Sequence, residues 1–499
     1  MDTKKKGVPL MSDLSFSRRS FTATGLALAV LSVAGPQVGA ALADNKADAT
    51  NCDVLVIGGG ISGTLAALSA SDAGAESVVL CEKQGFIGGS AALSSGFMVT
   101  VNNDNFPDTI DDSWDKMSSV LHGVHDQSPD KAYPNWNRLE GLFQQQSDTI
   151  DFMLNLGMTA QFDEKSTAVT MWDGKGAGMM DGLAKAMDDD PKVEVRLDSP
   201  ATKLLVDESG AVCGAEFEGK SGAFTVNAKK VVLACGGASH NDKILERYMP
   251  SIAGVDLDNQ SAAGNTGDGF GMCEELGAQL YPTMSLEEGG TSTDADWKTE
   301  TGFRPGVNSK LIVDAQGARF TNEPPASSQI LVYYMVQHGS PKYWCIYDAA
   351  TADEDTKKAL DKGVEMGCVF FGADAEELAG AMGADASTFV DAFAAYQDAC
   401  AAGKDDEFGK DAEKLVAYDD SEGLYAIYIR PSSWGTIGGV VTDDEFHALD
   451  ESGSPIANLF AVGEMSNREF FSVFYVGGNS LALNSTAGRL AGATAVAEM

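Results

Sequence analysis

The clearest hydrophobic pattern along the chain is Asp53-Val-Leu-Val-Ile57, a short unbroken apolar run that predicts a buried parallel strand. Gly58-Gly59-Gly60-Ile61-Ser62-Gly63 follows at once, and from there Leu65, Ala66 and Leu68 recur with helical spacing. A second apolar run, Ser77-Val-Val-Leu-Cys81, predicts another strand and stops at the acidic Glu82. The opening is therefore strand, glycine turn, helix, strand. Far downstream, Ala487-Gly-Arg-Leu-Ala-Gly492 reads, taken by itself, as a small-residue helix packed closely against a sheet. Tyr333 and Tyr334 fall on an apparent helix after Ser327.

A third apolar stretch, Gly25 to Ala34, is of another kind. It is interrupted by Gly35 and Pro36 and is too short to span a bilayer, which argues against a membrane anchor. Lys4, Lys5 and Lys6 and the run Ser17-Arg18-Arg19-Ser20-Phe21 precede it, and Ala41-Leu42-Ala43 closes it. This resembles a twin-arginine export signal over residues 1–43, cleaved after Ala43. Such signals carry folded proteins outward, to the cell envelope or a periplasm-like space. That route suits a protein that collects its cofactor before crossing the membrane.

Composition narrows the class. The chain has 499 residues, 55 glycines and 44% hydrophobic residues, as expected of one globular enzyme. Its net charge is −38; losing residues 1–43, with three lysines, two arginines and two aspartates, makes it −41. Nucleic acid is excluded as a partner on charge. An acidic surface suits a basic electron carrier, and equally suits plain solubility outside the cell. The eight cysteines contain no C-x-x-C pair, so no zinc site, haem attachment or iron–sulfur cluster is written here. Cys52 and Cys81 read as buried small apolar residues, disulfides remain open, and the five histidines form no ligand pattern, each reading as a surface or supporting residue.

The glycine turn is a dinucleotide fingerprint. Gly58 permits the tight turn, Gly60 lets backbone approach a pyrophosphate, Gly63 allows close helix packing, and the helix N-terminus around Ser62 offers amides to the anion. Glu82 lies 19 residues after Gly63, where a carboxylate accepts hydrogen bonds from a ribose. The segment Glu82-Lys83-Gln84-Gly85-Phe86-Ile87-Gly88-Gly89-Ser90, followed by Ser94-Ser95-Gly96, looks like the flavin-side loop of flavoprotein reductases.

From here the chain resembles the soluble fumarate reductase, urocanate reductase and 3-ketosteroid dehydrogenase family. Further blocks recur in family order: Val231 to Gly237, Gly264-Asn-Thr-Gly-Asp268-Gly269, Gly317-Ala-Arg-Phe-Thr-Asn-Glu323, Asn458 to Glu464 and Gly477-Gly-Asn-Ser-Leu481. The resemblance implies an α/β fold: a two-dinucleotide-binding, Rossmann-like FAD domain with an inserted α+β capping domain. The FAD domain would take residues 44–282 and 441–499, and the mobile cap 283–440. It implies a FAD-dependent oxidoreductase acting on CH–CH groups, with FAD held by Gly58, Gly60, Ser62, Gly63, Glu82, Lys83, Gly88, Gly89, Ser90, Ser95, Gly96, Ala201, Gly236, Asp268, Glu464, Ser480 and Leu481. Asp268 more simply shapes a turn. Related enzymes attach flavin to a histidine after the Gly-Gly turn; here Ser90-Ala91-Ala92 stands there, so FAD is expected to be non-covalent. With few residues between the cleavage site and the first strand, no haem or FMN domain is expected. A separate carrier, a membrane-anchored cytochrome, would supply electrons to a protein that is peripheral to the membrane at most.

The family pattern breaks at the substrate. Dicarboxylate reductases carry a proton-donating arginine, a clamping arginine and histidines; this chain has Ser327, Tyr475, Gly435 and, at about the third histidine, Gly289. Fumarate and succinate are therefore poor candidates. Aromatic residues stand nearby: Phe470, Phe471, Phe474, Tyr475, Trp434, Tyr333 and Tyr334. They fill core space on the plainest reading. The resemblance to ketosteroid dehydrogenases instead gives Tyr475 the task of polarising a neutral carbonyl, although Asn479 replaces a glycine of that subfamily. The reading that follows is reduction of a C=C bond conjugated to a carbonyl in a neutral, apolar small molecule such as a steroid, lactone or phenylpropanoid. Reduced FAD would deliver hydride, Tyr475 would hold the carbonyl, and Tyr333 or Tyr334 would protonate the α-carbon. The same chemistry reversed is a 3-ketosteroid dehydrogenase, and an exported electron relay without its own organic substrate is the remaining alternative.

Overall fold

The computed structural model describes residues 49–499 except 102, 104–109, 163–168, 306–309 and 324–327. The export signal expected over 1–43 and the donor position Ser327 lie outside the described residues. No described helix is long and apolar enough to cross a membrane.

The strand Thr50–Ile57 lies inside an eight-stranded sheet whose main path runs His447–Leu449, Pro455–Ala461, Gly222–Leu233, Thr50–Ile57, Val78–Cys81, Val193–Arg196. Its pairings with Val78–Cys81 and Gly222–Leu233 are parallel. The unbroken apolar run is explained by burial on both sides: Val54 and Val56 enter one core, Leu55 and Ile57 the other. The helix Ile61–Asp72 packs against the C-terminal helix Asn479–Ala497. A Cβ on Gly488 would lie 2.1 Å from the Ser62 carbonyl oxygen, and one on Gly492 2.2 Å from that of Ala66. The small residues of the last segment are thus what lets two helices touch backbone to backbone.

A second, six-stranded sheet is organised by the 14-residue strand Leu424–Ile437. Its first half pairs with Tyr343–Asp348 and Val369–Gly372, and its second half with Ser285–Ser292. The chain first joins this sheet at Asp258–Asn259, ahead of residue 283, where the sequence divides the domains. Just past the long strand, Gly439 bridges to Ser466 and Val440 to Leu280. The second half of the long strand, the strand Ser285–Ser292 and the segment 463–481 therefore meet where the two sheets adjoin.

Candidate active site

At the dinucleotide end the geometry follows from glycine. Gly58 has φ +114°, and a Cβ there would sit 2.2 Å from the Ala234 carbonyl oxygen; one on Gly63 would sit 1.9 Å from that of Gly58. Gly60 caps the helix Ile61–Asp72, and nothing lies within 4 Å of its missing Cβ. Glu82 is buried against this turn and accepts hydrogen bonds from the Gly59 N–H (2.6 Å) and the Gln84 N–H (2.7 Å). Burial raises its carboxyl above the ordinary range, and those amides pull it back down. The Gly88 N–H donates to the Gly59 carbonyl at 2.9 Å, and Gly89 packs on Gly60.

Lys83 reaches across to Thr266 Oγ1 and Asp268 Oδ2, both at 2.6 Å, so Asp268 is tied to the acidic-strand loop by an ion pair. Ser90 Oγ accepts from the Ala262 N–H at 3.1 Å. Ser62 lies against Gly463, one residue before Glu464, and Gly236 faces Asn265. These residues converge on one groove. Ser95 is exposed, Gly96 packs against the Lys175 backbone, and Ala201 begins a hairpin strand opposite Phe217.

Three buried amide oxygens along the groove have no partner among the described residues: Asn265 Oδ1, Asn479 Oδ1 and Asn484 Oδ1. Asn265 adjoins Gly236 and Glu464, while Asn479 and Asn484 stand in the first turns of the C-terminal helix. Unpaired acceptors at such places, with open space over Gly60, fit a ligand rich in N–H and O–H donors. A flavin with its ribityl and ribose hydroxyls is such a ligand.

At the other end the ladder between Ser285–Ser292 and Leu424–Ile437 is irregular, slipping at Glu287/Glu288 and again at Glu288/Gly290. Adjacent residues of a regular strand face opposite sides. Here both glutamates meet the 467–480 segment. Glu287 Oε1 receives Ser480 Oγ–H at 2.7 Å and Asn467 Nδ2–H at 3.3 Å, and Glu288 Oε2 receives the Tyr475 N–H at 2.8 Å. Glu464 receives Asn265 Nδ2–H at 2.8 Å and the Thr436 N–H at 2.7 Å. Burial holds all three carboxyls above the ordinary range, Glu287 and Glu288 well above it, and the proximity of Glu464 adds to the shift at Glu287. Their hydrogen-bond partners are hydroxyls, amides and backbone N–H groups, with no lysine or arginine among the described residues. The nearby Arg468 is buried and spent on the Phe471 and Ser472 carbonyls and on Asp130.

Tyr475 is 6% exposed, between Trp434 (ring centroids 5.9 Å apart) and Phe471 (5.5 Å). Burial and the adjacent Glu287 hold its phenol well above the ordinary range, and the amides of Ser480 and Gly478, at the start of the C-terminal helix, act on it in the opposite sense. The space left by the two glycines is taken: a Cβ on Gly435 would meet Glu464 Oε1 at 2.8 Å, and one on Gly289 would meet Trp434 Nε1 at 2.9 Å. On the helix Ser328–His338, Tyr333 packs on Phe474 (5.2 Å), whereas Tyr334 is 39% exposed. The helix brings the first tyrosine to the site and turns the second to solvent. Leu481 packs against the first core.

The sequence reading missed Glu287 and Glu288. The available signal was Leu286-Glu-Glu-Gly-Gly290, paired acids beside a double glycine, but strand periodicity assigns one of the two to solvent. His125 is also buried, contacting Ser472 Oγ at 2.8 Å, and burial lowers it to about 4. No disulfide joins the cysteines of the described residues; Cys52 and Cys81 are buried, and burial pushes each up to about 12.

A glycine-turned parallel sheet with a buried carboxylate at the end of the neighbouring strand defines the class of dinucleotide-binding folds. The chain belongs to the FAD binding domain family, whose profile matches residues 53–481. It is 28% identical over 463 residues to the fumarate reductase (cytochrome) of Shewanella frigidimarina, covering 88% of this chain and 76% of that protein. It is also 28% identical over 485 residues to the urocanate reductase of Eggerthella lenta, covering 90% and 75%. In fold it is similar to the 3-ketosteroid-Δ4-(5α)-dehydrogenase of Rhodococcus jostii RHA1, with a TM-score of 0.65 and 22% identity, over 91% of this chain and 98% of that one. It is a FAD-dependent oxidoreductase of the fumarate reductase family, acting on CH–CH bonds.

Proposed function

We propose that this protein reduces a C=C bond conjugated to a carbonyl in a neutral, fairly apolar molecule of steroid, lactone or phenylpropanoid type. The observation that carries the reading is the lack of a paired cation at the substrate end: Tyr475 lies beside Glu287 and Glu288, Glu464 acts on Glu287, and none of these carboxyls is paired with a lysine or arginine among the described residues. A dicarboxylate would find no lysine or arginine among these groups to bind it. A neutral carbonyl needs only a donor, and a phenol is one.

Bound FAD supplies the hydride. Tyr475 donates its O–H to the substrate carbonyl, stabilising charge that develops on oxygen as the β-carbon is reduced. Trp434, Phe474 and Tyr333 provide flat apolar surface for a ring system. Tyr333 supplies the proton for the α-carbon. FAD is held non-covalently between the 44–282 and 441–499 pieces, 283–440 closes over it, and a cytochrome-type carrier outside the cytoplasm delivers electrons after twin-arginine export.

The test is anaerobic. The purified protein is reduced with dithionite and a viologen dye, and dye oxidation is followed with fumarate, urocanate, cinnamates, 3-keto-4-ene steroids and unsaturated lactones. Turnover with neutral enones and none with fumarate is expected; rapid fumarate turnover sinks the reading.

A further inference from the structure

The segment 471–475, which ends on Tyr475, belongs to no helix or strand, yet Phe471, Ser472, Phe474 and Tyr475 are buried. Buried backbone without a ladder has to find its hydrogen bonds elsewhere, and here side chains supply them. Arg468 Nη1 donates to the Phe471 and Ser472 carbonyls at 2.7 and 2.8 Å, and Ser285 Oγ donates to the Val473 carbonyl at 2.9 Å. Ser472 Oγ accepts from the Phe474 N–H at 3.1 Å and is hydrogen-bonded to His125 Nδ1 at 2.8 Å, while the Tyr475 N–H ends on Glu288. Arg468 is the one cation in this set. Its side chain is 2% exposed, its Nη2 donates to Asp130, which follows the helix Ile110–His125, and its guanidinium lies 4.2 Å from the centre of the Tyr133 ring.

We propose that Arg468 is a positioning residue for Tyr475: it fixes the backbone of 471–475, and with it the place of the phenol at the substrate carbonyl, while Asp130 and Tyr133 hold the guanidinium. This rests on the reading of Tyr475 as the donor to that carbonyl. A buried guanidinium is costly unless every donor has a partner, and two successive carbonyls three and four residues before Tyr475 are what this one is spent on. A planar, rigid fork reaches both carbonyls and the carboxylate from one geometry, which an ammonium on a flexible stem does not. A donor to a developing oxyanion has to be well placed, since a displacement of about 1 Å can cost roughly 10²-fold in rate.

The experiment is a double-mutant cycle in the FAD-loaded protein with a neutral enone, using Arg468→Ala, Arg468→Lys, Asp130→Asn, Tyr475→Phe, and Arg468→Ala combined with Tyr475→Phe. Arg468→Ala is expected to lower kcat roughly 10²-fold with KM little changed. In the Tyr475→Phe background it should cost little more, because the hydroxyl it positions is gone. Arg468→Lys and Asp130→Asn should fall between the unaltered protein and Arg468→Ala, and added guanidinium ion should restore part of the rate of Arg468→Ala. A readout independent of turnover is the infrared carbonyl stretch of the enone bound to the oxidised protein. Hydrogen bonding to Tyr475 lowers it, and in Arg468→Ala it should move toward its position in Tyr475→Phe. An equal loss from Arg468→Ala in both backgrounds, or an unmoved carbonyl band, overturns the positioning role and leaves the functional reading standing. Loss of bound flavin in Arg468→Ala, Arg468→Lys and Asp130→Asn alike assigns Arg468 to the fold and likewise overturns it. Absence of enone turnover by the unaltered protein, or full activity in Tyr475→Phe, overturns the functional reading and the positioning role together.

Discussion

The two ends of the groove both bury glutamate and treat it differently. Glu82 is surrounded by backbone N–H donors of its own neighbourhood, Gly59 and Gln84, so its charge is met by fixed dipoles. Glu287 and Glu464 instead act on each other through buried space, and Glu288 adjoins Glu287, so protonation is the cheaper way to remove charge. The first arrangement presents an anion to hydroxyls; the second stores protons. Burial alone therefore does not assign a carboxyl its role, and the donors around it do.

The largest expected effect breaks the first end. Gly63→Ala places a methyl 1.9 Å from the Gly58 carbonyl oxygen, and the Gly58 backbone with Ala234 Cβ at 3.2 Å leaves it nowhere to go. We expect a loss of about 4 kcal/mol or more, seen as protein purified without flavin absorbance and with a lowered Tm. Tyr475→Phe tests the second end. It should keep the flavin spectrum and lower kcat with a neutral enone by roughly 10²- to 10³-fold; a twofold change would remove Tyr475 from the chemistry.

The stored protons give a pH signature. Glu287 and Glu288 have folded-state values well above the 4.5 of an ordinary glutamate. Between those limits the native state holds protons that the unfolded chain releases, so stability is greatest below the unfolded value and falls as pH rises through the folded ones. Each unit of elevation corresponds to about 1.4 kcal/mol. Thermal melts from about pH 5 to pH 9 should show Tm declining, and Glu287→Gln with Glu288→Gln should flatten that decline. The smallest effect is expected at Tyr334→Phe. Loss of the hydroxyl from a residue that is 39% exposed should change stability by no more than about 0.5 kcal/mol and leave enone turnover within experimental error.

Much of the dinucleotide end could be read directly from the chain, because its requirements are local. Gly58, Gly60, Gly63 and Glu82 lie within one strand–helix–strand unit, where backbone sterics leave few alternatives to glycine. Gly488 and Gly492 were readable for a related reason, since small residues in a helix signal close contact even before the partner helix is known. Tyr475 was legible through its neighbours in the chain, Gly477 to Leu481. Glu287 and Glu288 were not, because alternation along a strand sends one of two adjacent residues away, and only the slipped ladder turns both toward the C-terminal segment.

What the sequence determined by itself was the FAD-binding class and the glycine turn that follows its first strand. What only the tertiary structure decided was the surroundings of Tyr475 and Gly435. Glu288 meets the Tyr475 amide 187 residues away, Glu287 meets Ser480 193 residues away, and Glu464 occupies the space beside Gly435. Helix phase likewise separated Tyr333 from Tyr334. Backbone constraints act within a few residues and can be seen in the order of amino acids; the charge of a pocket depends on which distant side chains the register of two sheets brings to one point.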